Sequence, residues 1–186
     1  MSRTNLQWTI MALVFAITLG VAKPSPTNAA GAVHPACPIE RARYVLRHDP
    51  RYTAGFYLPG VRTEKHQPLT FFIHSSVTTK TYWFFFDGGT ARYTFLYSMP
   101  VAPSAHWTPP DNDDRRQAPF EDMTFLSADH DYRFRFERPV ADDPTPELLL
   151  ISDLPAMFAA KAQPPEHPPL DFFRFDHCAK PGSPPG

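Results

Sequence analysis

The residues best equipped for chemistry in this chain are its eight histidines: His34, His48, His66, His74, His106, His130, His167 and His177. A zinc site legible in sequence shows paired ligands, H-x-H on a strand or H-x₃₋₅-H on a helix, because those spacings put two imidazoles on one face. No two of these histidines stand that close. The spacing therefore predicts no metal site and scatters the histidines over turns and surface, with His74 half-buried in a strand. Asp111-Asn112-Asp113-Asp114 has the acid density of a calcium loop but lacks the glycine and the distal bidentate glutamate of an EF-hand. It reads as solvated loop charge, as does Asp142-Asp143. Ser75 and Ser76 close a predicted strand without a G-x-S-x-G elbow. Gly88-Gly89 leads into a strand and not a helix, so it cradles no phosphate. Triads and carboxylate pairs assemble from distant positions, so spacing neither supports nor excludes them. No cofactor is predicted.

The remaining chemistry is aromatic. The chain holds 16 Phe, 7 Tyr and 3 Trp, more rings than its turns and loops account for. Trp83 and Phe85 alternate onto one face of a predicted strand, with Arg92 placed across from Phe85 and Trp107 in a long loop nearby. These four residues form the candidate ligand-stacking platform. A guanidinium over an exposed ring contributes about 0.5–1 kcal/mol. The competing reading puts Trp83 and Phe85 beneath other structure, with Arg92 as a cover.

The elements that must carry these residues are mostly strands. Phe and Tyr favour strands, while the 23 prolines suit loops and sheet edges and oppose helix interiors. Predicted strands cover residues 52–58, 69–74, 79–86 and 91–99, and residues 40–48 read as a strand or a short helix, with alternation favouring the strand. Others fall either side of a turn at Asp129-His130, then at 147–151 and 170–178, with a helical turn or two within 153–160. A two-residue Gly88-Gly89 turn sets the central hairpin, because both positions accept positive φ. That turn opposes Phe86 to Ala91, Phe84 to Tyr93 and Tyr82 to Phe95 on the core face, with Phe85 opposite Arg92 and Trp83 opposite Thr94 outside. A one-residue slip exchanges the faces. In the next hairpin Tyr132, Phe134 and Phe136 alternate with charges and read as half-buried, with Phe125 opposite Phe134 and Met123 opposite Phe136. Leu126 then falls on the solvated side. Two proline-rich loops, 100–119 and 139–146, interrupt the strands, and loops longer than about 12–15 residues are commonly functional or disordered. The expected fold is all-β: a small antiparallel β-sandwich or, as the alternative, a closed or partly closed β-barrel.

The ends of the chain speak to compartment. Arg3 precedes an apolar run from Trp8 to Ala22, and small residues offer cleavage after Ala22 or Ala30. An export signal needs roughly 7–15 apolar residues where a bilayer span needs about 20. Residues 1–30 therefore read as a signal peptide and leader, 37–178 as a single β domain and 179–186 as a flexible tail. Roughly 150 residues after cleavage suit one hydrophobic core. The two cysteines, Cys37 and Cys178, most simply form one disulfide in an oxidising compartment. Lys+Arg 18 against Asp+Glu 19 leaves no basic stripe for nucleic acid. No segment after the signal is apolar for long enough to span a membrane. The sequence thus points to a periplasmic or secreted, non-enzymatic protein that binds a small molecule or a protein partner. The alternatives are a small secreted hydrolase using His74 or His106 with an acid, and a structural component of an envelope assembly.

Overall fold

A computed structural model describes residues 37–60, 69–88, 93–104 and 118–181. All lie in the second of the chain's two contact-defined units, Val33–Gly186; the first, Met1–Ala32, falls outside the described residues, as does the predicted signal peptide. After a 3₁₀ turn at Ile39–Arg41 come β1 (Ala42–Leu46), β2 (Tyr52–Tyr57), β3 (Thr70–Ser75), β4 (Lys80–Gly88) and β5 (Thr94–Met99). Then follow β6 (Met123–Ala128), β7 (Phe134–Arg135), β8 (Leu148–Ile151), α1 (Leu154–Lys161) and β9 (Phe173–Cys178). The ladders run β5-β4-β3-β2-β1-β9-β8-β6, and a further β5–β6 pairing closes the ring. Every pairing is antiparallel. The result is a closed eight-stranded barrel with β7 as a ninth strand outside it.

Of the two arrangements expected, the barrel is the one that forms. A meander of short hairpins brings β9 beside β1, and the continuous ladder leaves no pair of exposed edges for two separate sheets to share. The disulfide Cys37–Cys178 staples that seam, joining positions 141 residues apart in sequence. Beside it Arg41 and Ala179 exchange contacts: Ala179 N donates to Arg41 O at 2.8 Å, and Arg41 Nε donates to Ala179 O at 2.7 Å.

An eight-stranded barrel is just wide enough for side chains to fill. Here rings fill it. Phe56 lies 5.6 Å from Phe71 and 6.2 Å from Phe125, and Phe86 lies 5.0 Å from Phe125, mostly edge-to-face as ring quadrupoles prefer. Strand alternation supplies them: Ala42, Tyr44 and Leu46, then Tyr52, Ala54 and Phe56, all buried. Helix α1 closes one end, with Phe158 packed 4.7 Å from Tyr82 and 5.2 Å from Phe120.

Two hairpin registers differ from the sequence expectation. Phe84 and Phe86 do face the core, but they oppose Ser98 and Leu96, and Trp83 opposes Met99. Strand β4 runs on to Gly88 and β5 begins at Thr94, so the connection is longer than a two-residue turn. The register moves by an odd number, which sends Tyr93, Phe95 and Tyr97 outward. In the second hairpin Ala128 opposes Phe134 and Ser127 opposes Arg135. Because β7 lies outside the barrel, Tyr132, Phe134 and Phe136 are exposed. Leu126 lies on the outer, half-exposed face as expected, opposite Leu150 of β8.

Gly55 shows how tightly the wall is built. A Cβ there would meet Ala42 O at 2.8 Å and Phe72 Cζ at 2.8 Å. Phe72 lies on the outer surface of β3 and covers the bare backbone of β2. Gly55→Ala should therefore lower stability by about 1–3 kcal/mol through overpacking, checked by urea unfolding. A neutral or stabilising result would mean that the Ala42 backbone and the Phe72 ring both give way at no cost.

Candidate functional site

Rings fill the barrel, which leaves its wall as the surface open to a ligand among the described residues. Alternation turns Tyr57, Phe72, Trp83, Phe85 and Tyr97 outward across β2 to β5. They touch in sequence across the strands: Trp83 lies 5.3 Å from Tyr57 and 5.7 Å from Phe72, and Phe85 stacks on Tyr97 at 5.6 Å. Arg43 from β1 sits over Phe72 at 5.2 Å, and burial lowers its pKa from the usual arginine value. Cross-strand aromatic pairs of this kind stabilise a sheet, so much of this wall is packing.

The predicted platform divides on this surface. Phe85 is 2% exposed and so offers no face to a ligand. Trp83 is half-buried and does. Arg92 and Trp107 lie outside the described residues. Residues the platform did not include stand around Trp83: it walls a cleft of about 230 Å³ together with Lys80, Ser98, Met99, Pro119 and Phe120. The cleft is mixed in character: Thr81, Tyr82 and Ser98 share its lining with the apolar side chains, and one cation stands at its rim. Lys80 Nζ donates to Gln163 O and Ser98 Oγ accepts from Phe120 N at 3.0 Å, so both polar groups are held in place. Drug-sized sites run to about 300–1,000 Å³, so this one suits a smaller molecule.

Behind the cleft lies a buried polar cluster. Glu166, 2% exposed, accepts hydrogen bonds from Ser75 Oγ, from Thr78 Oγ1 at 2.8 Å and from Tyr82 OH at 2.6 Å. Tyr52 is a fourth hydroxyl neighbour. Burial pushes the Glu166 pKa up, but the hydrogen bonds outweigh it and hold the carboxyl below its ordinary value. Burial first, and then the charge of Glu166, drives Tyr52 up to about 12; burial, and then the hydrogen bond to Glu166, raises Tyr82 as well. A general base or acid wants a pKa near working pH. This carboxylate is held away from it, and its hydrogen bonds tie the chain leaving α1 to β3, β4 and the turn between them. Nothing in the Pro164-Pro165-Glu166-His167-Pro168-Pro169 run announces that role. Its hydroxyl donors come from three distant strands and turns.

The other sequence candidates are dispersed. Ser75 is committed to Glu166, and its Oγ also accepts Val77 N at 3.3 Å. His74 Nδ1 meets Thr81 Oγ1 at 3.0 Å, with no acid in that contact. His48 and Arg47 share the buried carboxylate of Asp171. His130 and His177 pair with adjacent exposed aspartates. His34, His66, His106 and Asp111–Asp114 lie outside the described residues. Among the described residues no cluster of three or more His, Cys, Asp or Glu side chains could hold a metal, and no helix is long and apolar enough to cross a membrane. Comparison with protein-family models, with curated proteins and with solved structures returned no match to this chain.

Proposed function

We propose that this chain is an exported, non-enzymatic binding protein of the cell envelope, and that it takes a small amphipathic molecule in the cleft at Trp83. The observation that carries the reading is Trp83 itself, a half-exposed indole braced by Tyr57 and Phe72 at the mouth of a cleft with a single lysine. Braced aromatic side chains give large contact area at little entropic cost. The disulfide supports an oxidising compartment, and the apolar run ahead of Ala22 supports export.

A fragment screen followed through backbone amides and the Trp83 indole N–H tests the binding part. Hits should shift Lys80, Trp83 and Phe120 together, and Trp83→Ala should weaken them at least tenfold while Phe134→Ala, on the far β7 segment, leaves them unchanged. A screen in which no fragment moves these signals would sink the cleft. The export part is tested by mass. A chain isolated from its own cells that starts at Lys23 or Gly31 supports it, and one that retains Met1 removes it.

A further inference from the structure

The second proline-rich loop, 139–146, walls a different cavity. It bounds a half-open space of about 220 Å³ between the loop, Ser127 of β6, Ile39 and the β7 segment. The loop is pinned at both ends. Val140 N donates to Asp143 Oδ2 at 2.9 Å and Asp143 N to Val140 O at 3.1 Å, while Tyr44 OH donates to Pro146 O at 2.9 Å. Three prolines, Pro139, Pro144 and Pro146, give this wall fixed backbone angles.

The charged groups on the cavity are Arg135, Glu137 and Asp143. The Arg135 guanidinium makes no hydrogen bond or ion pair among the described residues, although two carboxylates share its cavity. Those carboxylates are each half used: Glu137 Oε2 accepts Phe136 N at 3.2 Å, and Asp143 Oδ2 accepts Val140 N. One oxygen of each remains for a ligand. A guanidinium reads a carboxylate bidentately, and a free carboxylate oxygen reads an ammonium. A ligand meeting both needs an anionic and a cationic end within a few bonds.

We propose that this cavity is a binding site for a free α-amino acid, with Arg135 on its carboxylate and Glu137 or Asp143 on its ammonium. The site is independent of the Trp83 cleft. It draws on β6, β7 and the second loop, where the cleft draws on β4, β5 and the chain around Phe120.

The test is a titration of the purified, disulfide-bonded chain with each of the twenty α-amino acids, read through the amides of Ser127, Arg135 and Asp143. At least one should give saturable shifts there. Its N-acetyl and its amide derivatives, each lacking one of the two charges, should bind at least tenfold more weakly. Arg135→Gln should weaken the parent at least tenfold, and Arg135→Lys should lose less. Because Arg135 is exposed, an unchanged spectrum elsewhere shows the variants are folded. No saturable shift with any amino acid overturns the proposal. So does equal binding of the single-charge derivatives, or binding unaffected by Arg135→Gln.

Discussion

Glu166→Ala should cost about 2–4 kcal/mol of unfolding free energy at neutral pH, because it takes the acceptor from the buried Ser75 hydroxyl and the half-buried Thr78 and Tyr82 hydroxyls. The substitution strips Ser75, Thr78 and Tyr82 of their acceptor at once, in the space beside Phe158 where α1 closes the barrel. The orphaned Ser75 hydroxyl costs about 1–3 kcal/mol, and the half-buried Thr78 and Tyr82 hydroxyls cost less because water can reach them. Glu166→Gln should cost less, because the amide oxygen still accepts from one or two of these hydroxyls. Urea unfolding of both variants beside the parent measures the ranking. A Glu166→Ala protein within about 1 kcal/mol of the parent would show that the anchor is redundant.

The same carboxylate sets an acid limit. Its folded-state pKa lies below the unfolded value, so its contribution is complete above the ordinary glutamate pKa of about 4.3 and is lost as pH falls through the lower, folded-state value. Asp49, held down by the Arg51 guanidinium, works in the same direction. So does Asp171, where the Phe172 amide, Arg47 and His48 together overcome a burial effect that acts upward. Stability should therefore fall on acidification below about pH 4, and Glu166→Gln should fall less steeply because it no longer takes up that proton. Equal slopes for parent and Glu166→Gln would mean that the carboxyl titrates alike in both states.

Removing the disulfide should be comparably severe. For a 141-residue separation the chain-entropy model gives about 5 kcal/mol as an upper figure, and native disulfides usually contribute about 2–5 kcal/mol. In a chain of this size that corresponds to a fall in Tm of roughly 5–20 °C. The site of the bond adds a local reason. Cys178 lies opposite Ala42 where β9 meets β1, so the staple holds the seam that joins the first strand to the last. Without it the seam rests on its ladder and the Arg41–Ala179 exchange. Cys37→Ala/Cys178→Ala is the variant to compare with the parent by urea unfolding. A loss near zero would show that the ladder alone keeps the barrel closed.

What the sequence determined by itself was local. Alternating Phe and Tyr with abundant proline fixed an all-β chain, and the strand positions followed from where Pro, Gly and Asp interrupt the alternation. Two cysteines at the ends of the domain are enough to pair with each other. Along β4 the choice of Phe84 and Phe86 as core needed only the period of two. The tertiary structure decided whatever depends on which strand lies beside which. Register across β4 and β5 rested on the length of a connection that Gly88-Gly89 understates, and an odd shift turned Tyr93, Phe95 and Tyr97 to the outside. The burial of Tyr132, Phe134 and Phe136 hung on whether β7 joined the barrel, which the pairing of β6 with β5 and β8 prevented. Barrel and sandwich share strands and turns, and they differ only in the β5–β6 and β1–β9 pairings. Both sites have the same origin. Trp83 was visible as an outward ring, but its cleft needs Phe120 from beyond the first long loop. Glu166 and Arg135 acquire meaning only from partners, or from their lack, and a side chain's partners are fixed by packing between distant segments, which one-dimensional spacing does not encode.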